Sequence, residues 1–130
     1  MEVTCSLGEQ NYLAEITAND HQIKVDEPIS VGGQNTYPNP TQYLLASLAS
    51  CTAITMKMYA DRKGWNLGNI EVNAKLKEVI DKDGKSYKKI VKYVHFEVNI
   101  DDKQKQRLLS IGSKCPISKL IEQPTVMEIH

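Results

Sequence analysis

Near the start of the chain, one face of the backbone recurs at every second position in three short runs. These are Val3, Cys5 and Leu7, then Tyr12, Ala14 and Ile16, then His21, Ile23 and Val25. Turn-forming residues separate them, Gly8-Glu9-Gln10-Asn11 and Ala18-Asn19-Asp20. A period of two bounded by such turns predicts short strands in an antiparallel meander with one buried face. Cys5 falls within the first alternation and is expected to be a packing residue.

Between Pro28 and Pro40 the periodicity stops. Gly32-Gly33 and Gln34-Asn35-Thr36-Tyr37-Pro38 predict a turning connection, either a plain linker or a loop that carries Tyr37 or a backbone amide over a site. A helix then begins with complete start signals: Asn39 as N-cap, Pro40 in the first position, and Gln42 where a capping box places its reciprocal partner. It is expected to run to Lys63 and stop at Gly64, with Arg62 and Lys63 complementing the dipole in its last turn. Over that length it spans roughly 36 Å. Leu44, Leu45, Ala46, Leu48, Ala49, Cys51, Ala53 and Ile54 leave its first half without a charge, so burial on all sides is expected.

Alternation returns at Val72, Ala74 and Leu76, and again at Val94, Phe96, Val98 and Ile100. Asp81-Lys82-Asp83-Gly84-Lys85-Ser86 predicts the hairpin between these strands. The surrounding lysines (Lys82, Lys85, Lys88, Lys89, Lys92) are interleaved with acidic residues and read as a solvated hairpin tip. Asp101 or Asp102 should cap a second helix carrying Leu108, Leu109 and Ile111 and ended by Gly112. Cys115-Pro116 opens a short third helix, and Thr125–Ile129 reads as a final strand.

At 130 residues the chain is expected to form a single domain over residues 1–130. It is 41% apolar and 25% charged, ordinary for a soluble protein. Sixteen basic and sixteen acidic side chains cancel, which argues against nucleic acid or an anionic membrane as partner. Met1-Glu2-Val3-Thr4 lacks the basic and apolar regions of a secretory signal, and the Leu44–Ile54 run is too short to span a bilayer. A cytoplasmic location is expected. Three cysteines there do not make a disulfide scaffold, and the plainest role for any one of them is a small buried hydrophobe.

Two of the three stand in positions that can support chemistry. Cys115 lies at a helix start, where free backbone N–H groups favour an anion and Lys114 adds charge, so spacing makes it the more acidic sulfur. Cys51 lies mid-helix among apolar neighbours. It is reactive only if a cation or hydrogen-bond donor reaches it from another element. His21, His95 and His130 are scattered, without metal-ligand spacing around the cysteines, and no Gly-x-Ser-x-Gly or phosphate-cradling glycine motif occurs.

The order Asp26-Glu27-Pro28, Gly32-Gly33, Pro38-Asn39-Pro40, the helix from Gln42 through Cys51 to Trp65, and the late Lys114-Cys115-Pro116-Ile117 resembles the OsmC/Ohr family. These are the osmotically inducible and organic hydroperoxide resistance proteins, and the likeness is closest to the OsmC-like branch. The resemblance implies an α+β fold with antiparallel sheets around a long central buried helix. It also implies an interlocked homodimer with the long helices back to back and active sites at the interface. The implied activity is thiol-dependent reduction of an organic hydroperoxide as part of an oxidative stress response, without a cofactor or metal. By the same resemblance Cys51 is the attacking sulfur and Cys115 the resolving one. A dithiol reductant, lipoyl or thioredoxin-like, reopens their disulfide. The chain departs from the family pattern in having no arginine before Arg62, and Thr41 and Gln42 where a first-turn glutamate is usual. Lys24 is the candidate substitute cation, and Tyr37, Thr41 and Gln42 are candidate substrate or activation residues. The alternative is a redox-sensing or small-molecule-binding dimer without enzymatic activity on the same fold.

Overall fold

The computed structural model describes residues 1–130, which form two compact units, Met1–Leu44 and Leu45–His130. The first contains the meander. β1 (Thr4–Leu7), β2 (Ala14–Ala18) and β3 (His21–Val25) pair antiparallel in that order, with Cys5 opposite Ile16 and Ile16 opposite Ile23. The expected alternation holds on β2 and β3, where Ala14, Ile16, Ile23 and Val25 are the covered positions. It fails on β1, an edge strand with all four residues exposed, so Cys5 is a surface thiol and not a packing residue.

The connection after β3 is organised around one carboxylate. Asp26 is 1% exposed and accepts from Thr36 N at 3.0 Å, Thr36 Oγ1 at 2.9 Å and Glu27 N at 2.8 Å. Gln34 N adds a longer contact. The loop also depends on Gly33: a Cβ there would lie 1.9 Å from the Glu27 carbonyl oxygen. A turn at Ile29–Val31 and the bond from Asn35 N to Glu27 O complete a tight Ω-like path.

α1 (Pro40–Lys63) starts as its sequence predicts, with Gln42 N donating to Asn39 Oδ1 at 2.9 Å and Asn39 N to Gln42 Oε1 at 2.8 Å. It ends at Gly64, whose φ of 68° is the left-handed stop. Within the second unit the helix buries Thr52, Met56 and Ala60 along with Leu48, a strict i, i+4 stripe. Burial on every side is not what this chain provides: Ile54 and Met58 are 58% and 56% exposed. One chain of this size has too little remaining apolar surface to wrap a helix completely.

β4 (Ile70–Ile80) and β5 (Ser86–Phe96) form a long two-stranded hairpin with Val72 opposite Val94 and Ile80 opposite Ser86. β5 therefore starts earlier and stops sooner than the hydrophobic run suggests. Beyond Phe96 the chain bonds instead to the segment before β4, through Glu97 N to Asn69 O and Val98 N to Leu67 O. α2 (Asp102–Ser113) has a capping box between Asp101 and Gln104 and carries Leu108 into the core with Met56, Ala60 and Leu67. Gly112 does not end this helix. It is buried inside the last turn, where a Cβ would meet Met56 at 3.0 Å and Thr52 at 3.1 Å, so its role is close helix–helix approach. α3 (Pro116–Glu122) follows directly, with Cys115 as its N-cap. Thr125–Ile129 forms no strand: no sheet edge of this chain pairs with its backbone, and Val126, Met127 and Ile129 are almost fully exposed. No helix is long and apolar enough to cross a membrane.

Backbone N–H donors hold the Asp26 carboxyl down at about 2, the Thr36 amide most of all and against the opposing effect of burial. The ordinary value is about 3.9, so the group stabilises the fold fully above that pH and its contribution fades as pH falls toward 2. Asp26→Asn is expected to lower the melting temperature at neutral pH and to flatten the loss of stability between about pH 4 and 2. Thermal unfolding followed across that range checks it, and parallel curves for variant and parent would contradict it.

Candidate functional site

The site lies in the second unit, where α1, β5, α2 and α3 converge on Cys115. α3 begins at Pro116, whose fixed φ suits the first helical position, and this places Cys115 at the N-cap with its sulfur facing inward. The sulfur is 0% exposed. It accepts from Ser118 N at 3.4 Å and contacts Ser118 Oγ at 3.1 Å and Thr52 Oγ1 at 3.5 Å. Cys51, one position before Thr52 on α1, lies near enough to help lower the Cys115 thiol. Cys51 is half-buried, and no disulfide joins the pair.

A cation completes the cluster. Lys92 of β5 donates to Ser118 Oγ at 2.9 Å, Thr52 Oγ1 at 3.1 Å and the Gly112 carbonyl at 3.1 Å. This corrects its assignment to the solvated hairpin tip. The signal was in the strand's own period: Lys92 shares the inward parity of Ile90, Val94 and Phe96, all partly covered, while Tyr93 and His95 face out.

The three Lys92 contacts fix directions that the distances leave open. An ammonium has three donors and no lone pair, so both hydroxyl oxygens must accept from it. The Ser118 hydrogen is then free for the Cys115 sulfur. Thr52 has a second acceptor, the Leu48 carbonyl at 2.8 Å, so its hydrogen can serve either that oxygen or the sulfur. Burial pushes the Cys115 thiol up, but donors from Ser118, Thr52 and Cys51 outweigh it and bring the thiol down to about 7. Cys115 is thus acidic, as its N-cap position predicts, although the hydroxyls contribute more than the helix end alone.

Beside this cluster is a cavity of about 350 Å³. Leu48, Leu76, Ile90 and Ile121 line it with apolar surface, and Lys88, Lys92, Ser118 and Glu122 are its polar lining. The chemistry available is that of a thiol pair in which one sulfur is partly accessible and the other is enclosed by donors.

The remaining sequence candidates lie in the first unit. Gln42 is engaged in the cap of α1, and Thr41 beside it is exposed. Lys24 pairs with Glu15 at 3.4 Å and stands 5.9 Å from the centre of the Tyr37 ring, while its carbonyl accepts from Tyr43. His21, His95 and His130 are all exposed. The sequence reading gave Thr52, Ser118, Lys92 and Gly112 no role in the site.

The profile of the OsmC-like protein family matches residues 33–130, well over half of the chain. The chain belongs to the OsmC-like family. Solved structures of that fold superpose on nearly all of it. A Psychrobacter arcticus 273-4 protein gives a TM-score of 0.78 at 18% identity, over 92% of this chain and 87% of its own. The organic hydroperoxide resistance protein OsmC of Legionella pneumophila gives 0.69 at 17%, over 93% and 88%. OhrB of Bacillus subtilis, an organic hydroperoxide resistance protein, gives 0.64 at 21%, over 93% and 89%. No curated protein matches the sequence. Membership confirms the α+β OsmC-like fold, with three helices and two antiparallel sheets.

In this OsmC-like chain, removal of one hydroxyl should be readable at the sulfur. In a Cys5→Ser, Cys51→Ser background, the ultraviolet absorbance of the Cys115 thiolate is expected to titrate with a midpoint of about 7. Ser118→Ala should move that midpoint upward by roughly a unit, toward the free-thiol value of about 8.5. An unmoved midpoint would remove Ser118 from the account.

Proposed function

We propose that the protein is a thiol-dependent peroxidase that reduces organic hydroperoxides through Cys51 and Cys115. The observation that carries this reading is the cysteine pair itself: a partly accessible sulfur near an enclosed, acidic one, in a site with an apolar cavity suited to an alkyl group. The names of the Legionella and Bacillus relatives support the substrate class.

In the proposed cycle the Cys51 sulfur attacks the distal oxygen of the hydroperoxide while the Cys115 thiolate takes its proton. The O–O bond breaks, the alkoxide leaves as the alcohol after protonation, and Cys51 becomes a sulfenic acid. Cys115 then attacks the Cys51 sulfur. Water departs, a disulfide forms, and a dithiol restores both thiols with its own oxidation. The absent N-terminal arginine does not leave the pair without charge, because Lys92 supplies a cation from β5. Lys24, Tyr37, Thr41 and Gln42 are accessory candidates in this scheme. The proposed location is the cytoplasm, whose reducing conditions suit three free cysteines.

A stoichiometric dose of an alkyl hydroperoxide should produce a Cys51–Cys115 crosslinked peptide by mass spectrometry. Cys51→Ser should abolish peroxide consumption, by at least about a hundredfold, whereas Cys115→Ser should allow one turnover and leave a trappable sulfenic acid on Cys51. A crosslink to Cys5, or a sulfenic acid on Cys115, would overturn the assignment. Absence of peroxide consumption alongside reversible Cys51–Cys115 oxidation would favour a redox sensor.

The proposed assembly is a homodimer. The exposed apolar face of α1 (Ile54, Met58) and the uncovered Val126, Met127 and Ile129 are what one chain leaves for a second copy. Light scattering at micromolar concentration should give twice the 14.6 kDa chain mass. Monomer mass with the fold intact would rule the dimer out.

A further inference from the structure

We infer that Lys92, acting through the hydroxyls of Thr52 and Ser118, makes Cys115 the leaving sulfur when the disulfide is reduced and so directs the incoming dithiol to Cys51. This rests on the Cys51–Cys115 disulfide of the proposed cycle and assigns a step within it.

Two independent features point the same way. The first is access: the Cys115 sulfur is 0% exposed behind α1 and α3, whereas Cys51 is half-buried. The second is where negative charge is accommodated. Lys92 uses all three of its donors on Ser118 Oγ, Thr52 Oγ1 and the Gly112 carbonyl. Each hydroxyl oxygen is thereby committed as an acceptor, and its hydrogen is released toward the sulfur. Ser118 contributes its amide as well, so up to three donors converge on Cys115 once it bears charge. Thr52 changes acceptor from the Leu48 carbonyl to the sulfur as that charge appears. Lys92 itself does not touch the sulfur; it is a positioning residue.

In the step, a thiolate of the dithiol attacks the Cys51 sulfur. A new S–S bond forms to Cys51 while the Cys51–Cys115 bond breaks, and its electron pair stays on Cys115. The second thiol of the reductant then displaces Cys51. The dithiol is oxidised by two electrons and both protein cysteines are reduced. Exchange is faster when the departing thiol is the more acidic one, so the cradle around Cys115 sets both direction and rate. The charged or titratable groups facing Cys115 are Cys51 from α1 and Lys92 from β5. Lys88 and Glu122 line the cavity shared with Ser118, α2 presents only the Gly112 carbonyl, and Lys114 is exposed.

The test uses full-length Cys5→Ser protein whose disulfide is formed with diamide, so that it stands whether or not a peroxide is the natural oxidant. A brief pulse of the monothiol 2-mercaptoethanol, followed by alkylation and peptide mapping, should find the mixed disulfide on Cys51 and the alkyl group on Cys115. The opposite labelling overturns the inference and needs no Lys92 variant. Lys92→Met, with folding checked by circular dichroism, should slow reduction by dithiothreitol roughly threefold to tenfold and move Cys115 titration to higher pH. Lys92→Gln, whose amide keeps two donors but no charge, should fall between. Unchanged rate and titration in both variants would remove Lys92 from the step. Failure of peroxide to form the disulfide would reject the peroxidase reading and leave these measurements valid.

Discussion

An ammonium ion held among side chains must place every one of its donors, and it can accept nothing in return. Lys92 meets that requirement by drawing on three helices at once: Thr52 from α1, the Gly112 carbonyl from α2 and Ser118 from α3. Much of the second unit's local detail follows from it. α2 has to approach α1 closely enough to present a backbone carbonyl, which accounts for a glycine where a side chain would collide with Met56 and Thr52. α3 begins at Pro116, which makes Ser118 its third residue and lets that hydroxyl meet both the N-cap sulfur and the ammonium.

The arrangement divides two properties between two sulfurs of similar intrinsic chemistry. Accessibility belongs to Cys51 and stabilised charge to Cys115. Cysteine pairs in which one thiol holds both properties put nucleophilicity and leaving ability into competition, since lowering a thiol's pKa also weakens it as a nucleophile. Here the apolar mid-helix environment of Cys51 remains suited to an alkyl partner, while the polar groups accumulate one residue later at Thr52 and on the facing elements.

The helices were legible because each carries its own punctuation. Asn39-Pro40 and Gln42 for α1, Asp101 of the two aspartates offered for α2, and Cys115-Pro116 for α3 all lie at the observed boundaries. The errors arose where local pattern depends on distant cover. β1 alternates correctly but nothing in its unit covers it, so Cys5 is exposed. Thr125–Ile129 has strand composition but pairs with neither sheet of this chain. Gly112 has the composition of a helix stop, yet it answers to packing against another helix. Lys92 was hidden by its neighbours: the two-residue period of β5 separates it from Lys89, but Lys88 shares its parity and is exposed nearer the hairpin tip. The cysteine contexts could be read from sequence. The hydroxyls serving them could not, because Thr52 and Ser118 become partners only once β5 supplies the charge between them.

The contact at Gly112 has a further consequence. Where two helices meet through side chains, small separations are absorbed by rotamer changes. At Gly112 only one of the two helices offers side chains, those of Met56 and Thr52, and the same residue's carbonyl accepts from Lys92. Any widening between α1 and α2 therefore stretches the ammonium's third hydrogen bond directly. The spacing of one helix pair is in this way coupled to the charge held beside a sulfur that neither helix carries on its contact face.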